Sequence, residues 1–256
     1  MMTLFFSHPF YSKRALFVKK RLLAFWLLSL IGLFSQPVYA AEIPAPFAQK
    51  FKATLAGFKL SAQRTLRKLD NDQYEFSVVA KNLVARYTEK STFRVDSNGD
   101  IFPLSHSVKS KIFGVARTEQ TAFNWETGLA TYRKKDTIRS IDIQPGVLDR
   151  TLYQLLLPAD LAAGNLEPSY AFIDRGRLKT YQFTVLAEEE VELADTSVSA
   201  LKLTRVQENK KRQTLIWIAP EHNYEVVKIS HLDEEGSDYK MVLRGQPAAS
   251  TSTASK

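Results

Sequence analysis

The sequence predicts an all-β, mainly antiparallel fold: a curled meander sheet or an open β-barrel, with one short helix packed on it or capping it. Apolar and polar residues alternate along most of the chain, as at Tyr74, Phe76 and Val78, and this period of two indicates half-buried strands. Turn-forming clusters such as Asp70-Asn71-Asp72 separate these segments at short intervals. Because a large antiparallel sheet that curls leaves less exposed edge, a meander of this length should curl.

The predicted strands follow one another from Phe47 onward with short connections. Asn98-Gly99 predicts a type I′ hairpin turn, which requires positive φ at both central residues. The strand-like segments after the first are 60–69, 74–78, 87–95, 102–112, 115–125, 129–133, 138–143, 170–173, 181–185, 198–206, 215–219, 226–229 and 239–244.

One segment after Pro145-Gly146 has a helical period instead. It predicts a helix over 149–157, with Asp149 placed to cap its start and Pro158 ending or kinking it. The leucines that share one face of this helix, and that we expect to pack against the sheet, are Leu148, Leu152, Leu155 and Leu156.

Residues 1–40 have the pattern of a secretory signal peptide. A basic stretch precedes the uncharged apolar segment 22–34, which is 13 residues long, and Val38-Tyr39-Ala40 predicts cleavage between Ala40 and Ala41. A bilayer span needs about 20 apolar residues, so we expect no stable membrane span after cleavage and a periplasmic location. The mature chain then divides into a lead-in over 41–46, one β-rich domain over 47–245, and a disordered tail over 246–256.

Charge and cysteine content exclude several classes of protein. The whole chain has a net charge of +8, but the leader holds five basic and no acidic residues, which leaves 30 basic and 27 acidic residues and a net charge of +3. That excess is too small for a nucleic-acid-binding protein. The absence of cysteine excludes disulfides, so stability must come from a hydrophobic core. It also excludes a lipoprotein anchored through a cysteine.

No familiar catalytic, metal or cofactor motif is present in the sequence. The histidines of the mature chain are His106, His222 and His231, and none has the spacing of a zinc site. Ser105 and His106 are neighbours in a predicted strand, so their side chains should point to opposite faces and not form a nucleophile–base pair. We therefore expect no enzyme activity and no cofactor.

Several segments resemble the exported bacterial family known as domain of unknown function 3108. The resemblance runs from the middle of the chain to its end, although this sequence has Asn124 where the family favours Asp. It implies a periplasmic β-rich domain and brings no assigned activity or catalytic residues. The segments that carry it are 123–129, 148–153, 216–222, 227–229 and Gly236.

Abundant aromatic residues suggest a binding function for the fold. Most should be core, but a curled sheet can also leave an apolar cavity, and we expect Trp125, Trp217 and the helical leucines to line it and the helix to gate it. By analogy with half-open barrels that shelter acyl chains, the sequence predicts a secreted, non-enzymatic binding or carrier-like protein for a hydrophobic ligand or envelope component. The expected partners are a lipid or other apolar ligand, or an envelope protein.

Two alternatives remain open from the sequence. The first is a structural or interaction module that docks another envelope protein through an exposed edge or face of the sheet. The second is a hydrolase with an unrecognised site, for which Ser105, His106 and His222 are the residues to alter.

Overall fold

A computed structural model describes residues 43–55, 57–206, 212–232 and 238–247. Strands hold 66% of them, which confirms the all-β prediction. The predicted signal peptide, its cleavage site at Ala40 and Ala41, and the tail from residue 248 onward lie outside the described residues.

Fifteen strands and one α-helix make up the described fold. The helix α1 is Tyr153–Ala162, and a single 3₁₀ turn spans Pro220–His222. The strands are β1 Phe47–Leu55, β2 Phe58–Lys68, β3 Gln73–Lys81, β4 Ala85–Val95, β5 Ile101–Ile112, β6 Val115–Asn124, β7 Leu129–Lys134, β8 Thr137–Asp142, β9 Leu148–Asp149, β10 Ser169–Asp174, β11 Arg177–Glu192, β12 Ser197–Arg205, β13 Gln213–Ala219, β14 Glu225–Leu232 and β15 Asp238–Leu243.

All fifteen strands form one sheet, which is not closed into a barrel. Its order is β8-β7-β6-β5-β4-β3-β2-β1-β15-β14-β13-β12-β11-β10-β9, so the chain meanders outward from β1 to one edge and returns to β1 from the other. All neighbouring pairs are antiparallel except β9 and β10, which are parallel. The two edges, β8 and β9, are not hydrogen-bonded to each other.

The open sheet nevertheless curls until its two ends approach. Arg139 of β8 donates to the backbone carbonyl of Arg175, in the β10–β11 turn, over 3.4 Å. The next residue in that turn, Gly176, has a φ of +71°, and a Cβ atom there would come within 2.8 Å of the Tyr132 ring. Only glycine fits this contact, because it supplies positive φ and has no side chain. The turn can therefore pack directly on β7.

The helix differs from its predicted boundaries. It begins at Tyr153 and not near residue 149, and Pro158 lies inside it instead of ending it. Leu148 belongs to the short strand β9, because it pairs with Phe172 of β10. The Asp149 carboxylate accepts hydrogen bonds from the backbone N–H groups of Thr151 and Leu152. It therefore caps the turn that leads into the helix and not the helix itself.

The buried helical face also differs from the predicted one. Leu155, Leu157 and Leu161 are buried, whereas Leu156 is only half-buried. Leu157 and Leu161 are four residues apart and share one face of the helix, which is not the face that Leu152 and Leu156 would share. The buried helical leucines pack with Phe76, Phe93 and Phe172 in the main core.

One predicted turn forms with a different geometry. The chain reverses at Asn98-Gly99, but only Gly99 has positive φ, so the turn is not type I′. The Gly99 N–H instead donates to the Asp96 carbonyl over 3.1 Å, and the Asp96 carboxylate accepts from the N–H groups of Asn98 and Asp100. These side-chain bonds determine the turn.

No helix among the described residues is both long and apolar enough to cross a lipid bilayer.

Candidate functional site

The six residues that the sequence assigns to an apolar cavity do not all come together: the four leucines meet, but the two tryptophans lie elsewhere. Leu148, Leu152 and Leu155 are buried in the main core, and Leu156 packs against its margin. Trp125 lies in the turn after β6, where its indole N–H donates to the Pro103 carbonyl over 2.7 Å. The leucines therefore serve as core residues, and Leu155 also borders an open cleft.

Trp217 belongs to a separate buried cluster, away from the helix. Its indole N–H donates to Glu189 over 2.6 Å. The ammonium groups of Lys202 and Lys228 lie 5.4 and 3.9 Å from the centroid of the indole ring, within range of a cation–π interaction. Trp217 is therefore held in place by packing and by contacts with charged side chains.

A network of largely buried charges lies between β4, β5 and the segment before the helix. Arg150 is its centre: its Nε donates to Glu89 over 2.6 Å, and one terminal nitrogen donates to the Tyr87 hydroxyl over 2.9 Å. The imidazole Nε2 of His106 lies 2.9 Å from the same Glu89 oxygen. Asp174 accepts from Arg150 over 3.3 Å. We call these five residues the interior ion cluster.

Two further side-chain contacts surround the interior ion cluster. The Ser91 hydroxyl on β4 donates to the buried Asp149 carboxylate on β9, and Lys179 donates to Asp174 over 2.6 Å. Together with the interior ion cluster, the Ser91–Asp149 bond connects β4 and β5 to the segment just before the helix. The described network therefore fastens the helical segment across the curled sheet.

The charges of the cluster explain its pKa shifts. Burial works to raise the pKa of Glu89, but the guanidinium of Arg150 and the imidazole of His106 outweigh it and hold that pKa well below its usual range. Burial likewise works to lower the pKa of His106, but the carboxylates of Asp149 and Glu89 outweigh it and raise the pKa. The arrangement therefore stabilises a charged carboxylate beside two cations.

The serine and histidine that the sequence offers for a hydrolase do not face each other. Ser105 is exposed while His106 is buried, as the strand geometry predicts, and the directly paired Ser91 is bonded to a carboxylate rather than to an imidazole. His231 bonds to Thr214, with 2.8 Å between the hydroxyl and Nδ1. Across the described ranges, no group of three or more His, Cys, Asp or Glu residues is placed to bind a metal.

The candidate binding site is a cleft of about 550 Å³ at one end of the sheet. Its walls are the lead-in from Pro44 to β1, the first part of helix α1 and the turn between β13 and β14. Phe47, Leu155 and Pro158 supply apolar surface. Ligand pockets have volumes of about 300–1,000 Å³, so this end cleft has the size of a small-molecule site.

A buried arginine lies at the base of the end cleft. Arg64 is only 2% exposed, and its Nε has no hydrogen-bond partner among the described residues. One terminal nitrogen donates to Gln49 over a long 3.2 Å, and the other lies 3.5 Å from the Gln154 carbonyl. The guanidinium carbon lies 5.4 Å from the centroid of the Phe76 ring. Arg64 is therefore incompletely satisfied.

Electrostatics favour an anion in the end cleft. Burial is the main influence on Arg64 and lowers its pKa to about 10, although the Glu225 carboxylate works in the opposite direction. The group therefore stays charged at neutral pH. Lys50 and Arg244 also line the cleft, against the single carboxylate of Glu225, which already accepts from Gln49 over 2.7 Å.

A second groove, of about 760 Å³, lies around Trp125. Arg94 sits over the Phe102 ring at 4.1 Å, and Phe102 meets Trp125 edge to face with 5.1 Å between ring centroids. Arg94 is half-exposed. The groove therefore lacks the buried charged group that distinguishes the end cleft.

Comparison with known proteins identifies the family. A model of the family described as "Protein of unknown function (DUF3108)" matches residues 50–244. The chain belongs to this family. The match spans β1 to β15 and confirms the resemblance inferred from the second half of the sequence.

One solved structure similar to this DUF3108 protein is a beta-barrel-like protein of domain of unknown function DUF1849 from Brucella abortus. The two superpose with a TM-score of 0.50 at 12% sequence identity, over 77% of this chain and 95% of the other. At that identity the similarity shows a shared fold only. No curated protein matches the chain.

Sequence reasoning missed the buried charges, although a signal for them was present. Arg64 lies between Ala62 and Leu66 in the period-two register of β2, and Glu89 lies between Tyr87 and Ser91 on the inward face of β4. A charged residue at an apolar register position is costly to bury unless it is paired. Such a position therefore deserves a structural or functional explanation.

Proposed function

We propose that this DUF3108 protein is an exported, non-enzymatic binding protein whose end cleft takes an anionic amphiphile: an apolar chain with a carboxylate or phosphate group. The observation that carries the proposal is Arg64, a buried cation with an unpaired Nε that lines the cleft. Buried charges are normally paired, so an anionic group of a ligand would complete the hydrogen bonds of the Arg64 guanidinium.

The existing contacts of Arg64 suggest how the ligand would bind. Its bond to Gln49 is long, at 3.2 Å, and a carboxylate or phosphate oxygen in place of the Gln49 carbonyl would form a stronger, charge-assisted bond. Phe47, Leu155 and Pro158 would contact the apolar chain. The signal peptide predicted by the sequence would deliver the protein to the periplasm, where such amphiphiles are abundant.

The alternative, a module that docks another envelope protein, has one observation in its favour. Strand β8 is a six-residue edge strand, exposed along nearly its whole length, and unpaired edges can accept a strand from another protein. However, Arg139 and Asp142 place charges on that edge, and charged residues discourage strand addition. The end cleft therefore supports the binding function better.

The proposal is tested by titrating the protein with a dansyl-labelled fatty acid. We expect saturable binding that weakens about 10- to 100-fold in Arg64→Met, because a hydrogen bond to a charged group contributes ~1.5–3 kcal/mol. The matched control is Arg67→Gln, on the same strand but with a side chain 59% exposed, and it should bind normally.

Two results would contradict the proposal. One is equal affinity in Arg64→Met and the unaltered protein, provided that circular dichroism shows the variant to be folded. The other is the absence of saturable binding in the unaltered protein.

A further inference from the structure

The end of the sheet opposite the end cleft presents a set of exposed apolar side chains. In an antiparallel meander, alternate connections lie at the same end, so the β1–β2, β3–β4 and β5–β6 connections come together there. We call these side chains the apolar rim. They are Leu55, Phe58, Leu83, Val84, Ile112, Phe113 and Val115, and each is more than a third exposed.

The apolar rim is preformed. The rings of Phe58 and Phe113, from different hairpins, meet edge to face with 6.5 Å between their centroids. The Phe113 N–H donates to the Val84 carbonyl over 3.0 Å, which connects the β5–β6 turn to the β3–β4 loop. Three neighbouring connections therefore form one continuous apolar surface.

The backbone conformation at Phe113 favours a residue other than phenylalanine. Phe113 and Gly114 have φ values of +46° and +83°, the signs that a type I′ turn requires, and such turns favour Asn-Gly. A bulky residue at positive φ is strained. Phe113 is also 69% exposed, so its ring gains little from burial. The choice of phenylalanine here therefore points to a contact outside the chain.

A row of cations flanks the apolar rim. The register places Arg86 opposite both Lys81 and Lys111, on the outer face of three adjacent strands. Like charges directly opposite each other destabilise a sheet. The segments 57–61, 80–88 and 109–118 contain no acidic residue, and none of their exposed cations forms an ion pair with another described residue. These cations are Lys59, Lys81, Arg86, Lys109, Lys111 and Arg117.

We propose that the apolar rim and its flanking cations dock the protein on an anionic lipid surface. Amphipathic surfaces bind membranes when apolar side chains enter the headgroup boundary and basic residues contact anionic lipids, and both elements occur here at one end of the sheet. This inference is independent of the end cleft, because it rests on residues at the opposite end of β1.

A protein partner is the less favoured occupant of this surface. Protein–protein interfaces are depleted in lysine, whereas four of the six flanking cations are lysines. Three projecting turns are also suited to entering a fluid layer, while a protein interface requires complementary shape.

Vesicle flotation of the protein expressed from its full sequence tests the proposal. We expect binding to vesicles that contain phosphatidylglycerol, much weaker binding to vesicles of phosphatidylcholine alone, and a decrease as salt is added. Phe113→Asn should weaken binding roughly tenfold, because one apolar anchor is lost. The same change places the favoured residue at positive φ, so the variant should unfold at the same or a higher denaturant concentration.

The charge contribution is tested by the triple variant Lys81→Gln, Arg86→Gln, Lys111→Gln. At about fivefold per cation, affinity should fall on the order of 100-fold. Leu166→Asn is the control: this leucine is 53% exposed but lies in the loop between α1 and β10, so binding should not change.

Equal binding to neutral and anionic vesicles, or unchanged binding by Phe113→Asn, would overturn the proposal. An absence of vesicle binding would assign the rim to a protein partner and would equally overturn it.

Discussion

Glu89→Gln should destabilise the protein by about 3–5 kcal/mol, the usual consequence of removing one partner from a buried ion pair. The substitution leaves Arg150, which donates to Glu89 over 2.6 Å, with only Asp174 as a carboxylate partner at 3.3 Å. Urea denaturation measures the change. The matched control is Glu126→Gln, at an exposed turn position, which should change the free energy of unfolding by less than about 0.5 kcal/mol.

A double-variant cycle identifies the origin of this loss of stability. Arg150→Met in the Glu89→Gln background should restore part of the stability, because an uncompensated buried charge is then removed. A Glu89→Gln variant within about 1 kcal/mol of the unaltered protein would show that the interior ion cluster does not fasten the helical segment to the sheet.

The same cluster gives stability a defined dependence on pH. The lowered pKa of Glu89 stabilises the fold above the ordinary glutamate value of 4.5, and this contribution is lost as pH falls toward the folded-state pKa. The raised pKa of His106 stabilises the fold below the ordinary histidine value of 6.5, and this contribution is lost as pH rises through the folded-state pKa. Between these limits both contributions are present, and Glu89→Gln should remove the acid flank and only reduce the alkaline one, because Asp149 also raises the pKa of His106.

Leu157→Ala should destabilise the protein by about 2–5 kcal/mol, the range for truncating a buried leucine. Leu157 is 1% exposed and packs in the main core. The control is its neighbour Leu156→Ala, half-buried in the same helix, so both variants have the same change in helix propensity. We expect Leu156→Ala to cost less than half as much.

This pair of variants also decides between two assignments of the helical face. The face predicted from the sequence includes Leu156 and omits Leu157, whereas the structure buries Leu157. A larger loss for Leu156→Ala, measured by urea denaturation, would contradict the helix boundaries described above.

The fold was predictable where local pattern and tertiary structure agree. Alternation in segments such as Gln73–Lys81 determines which face is buried, because shifting the register by one residue would expose every apolar side chain. The helix boundary was less predictable, because Leu148 fits both a helical face and the short strand β9. Pairing with β10 decides between them, and that contact is distant in sequence.

The site was less predictable than the fold. A list of residue types does not show that Arg64, on β2, and Gln154, on the helix, meet at one end of a curled sheet. The sequence predicted an apolar cavity under the helix. The structure packs Leu148, Leu152 and Leu155 into the main core and places an open cleft beside the helix.

Native mass spectrometry of the protein purified from its own envelope is the most direct test of the binding function. The account predicts a retained anionic amphiphile, lost in Arg64→Met and kept in Arg67→Gln. A protein that carries no amphiphile, or an Arg64→Met variant that carries the same one, would contradict it.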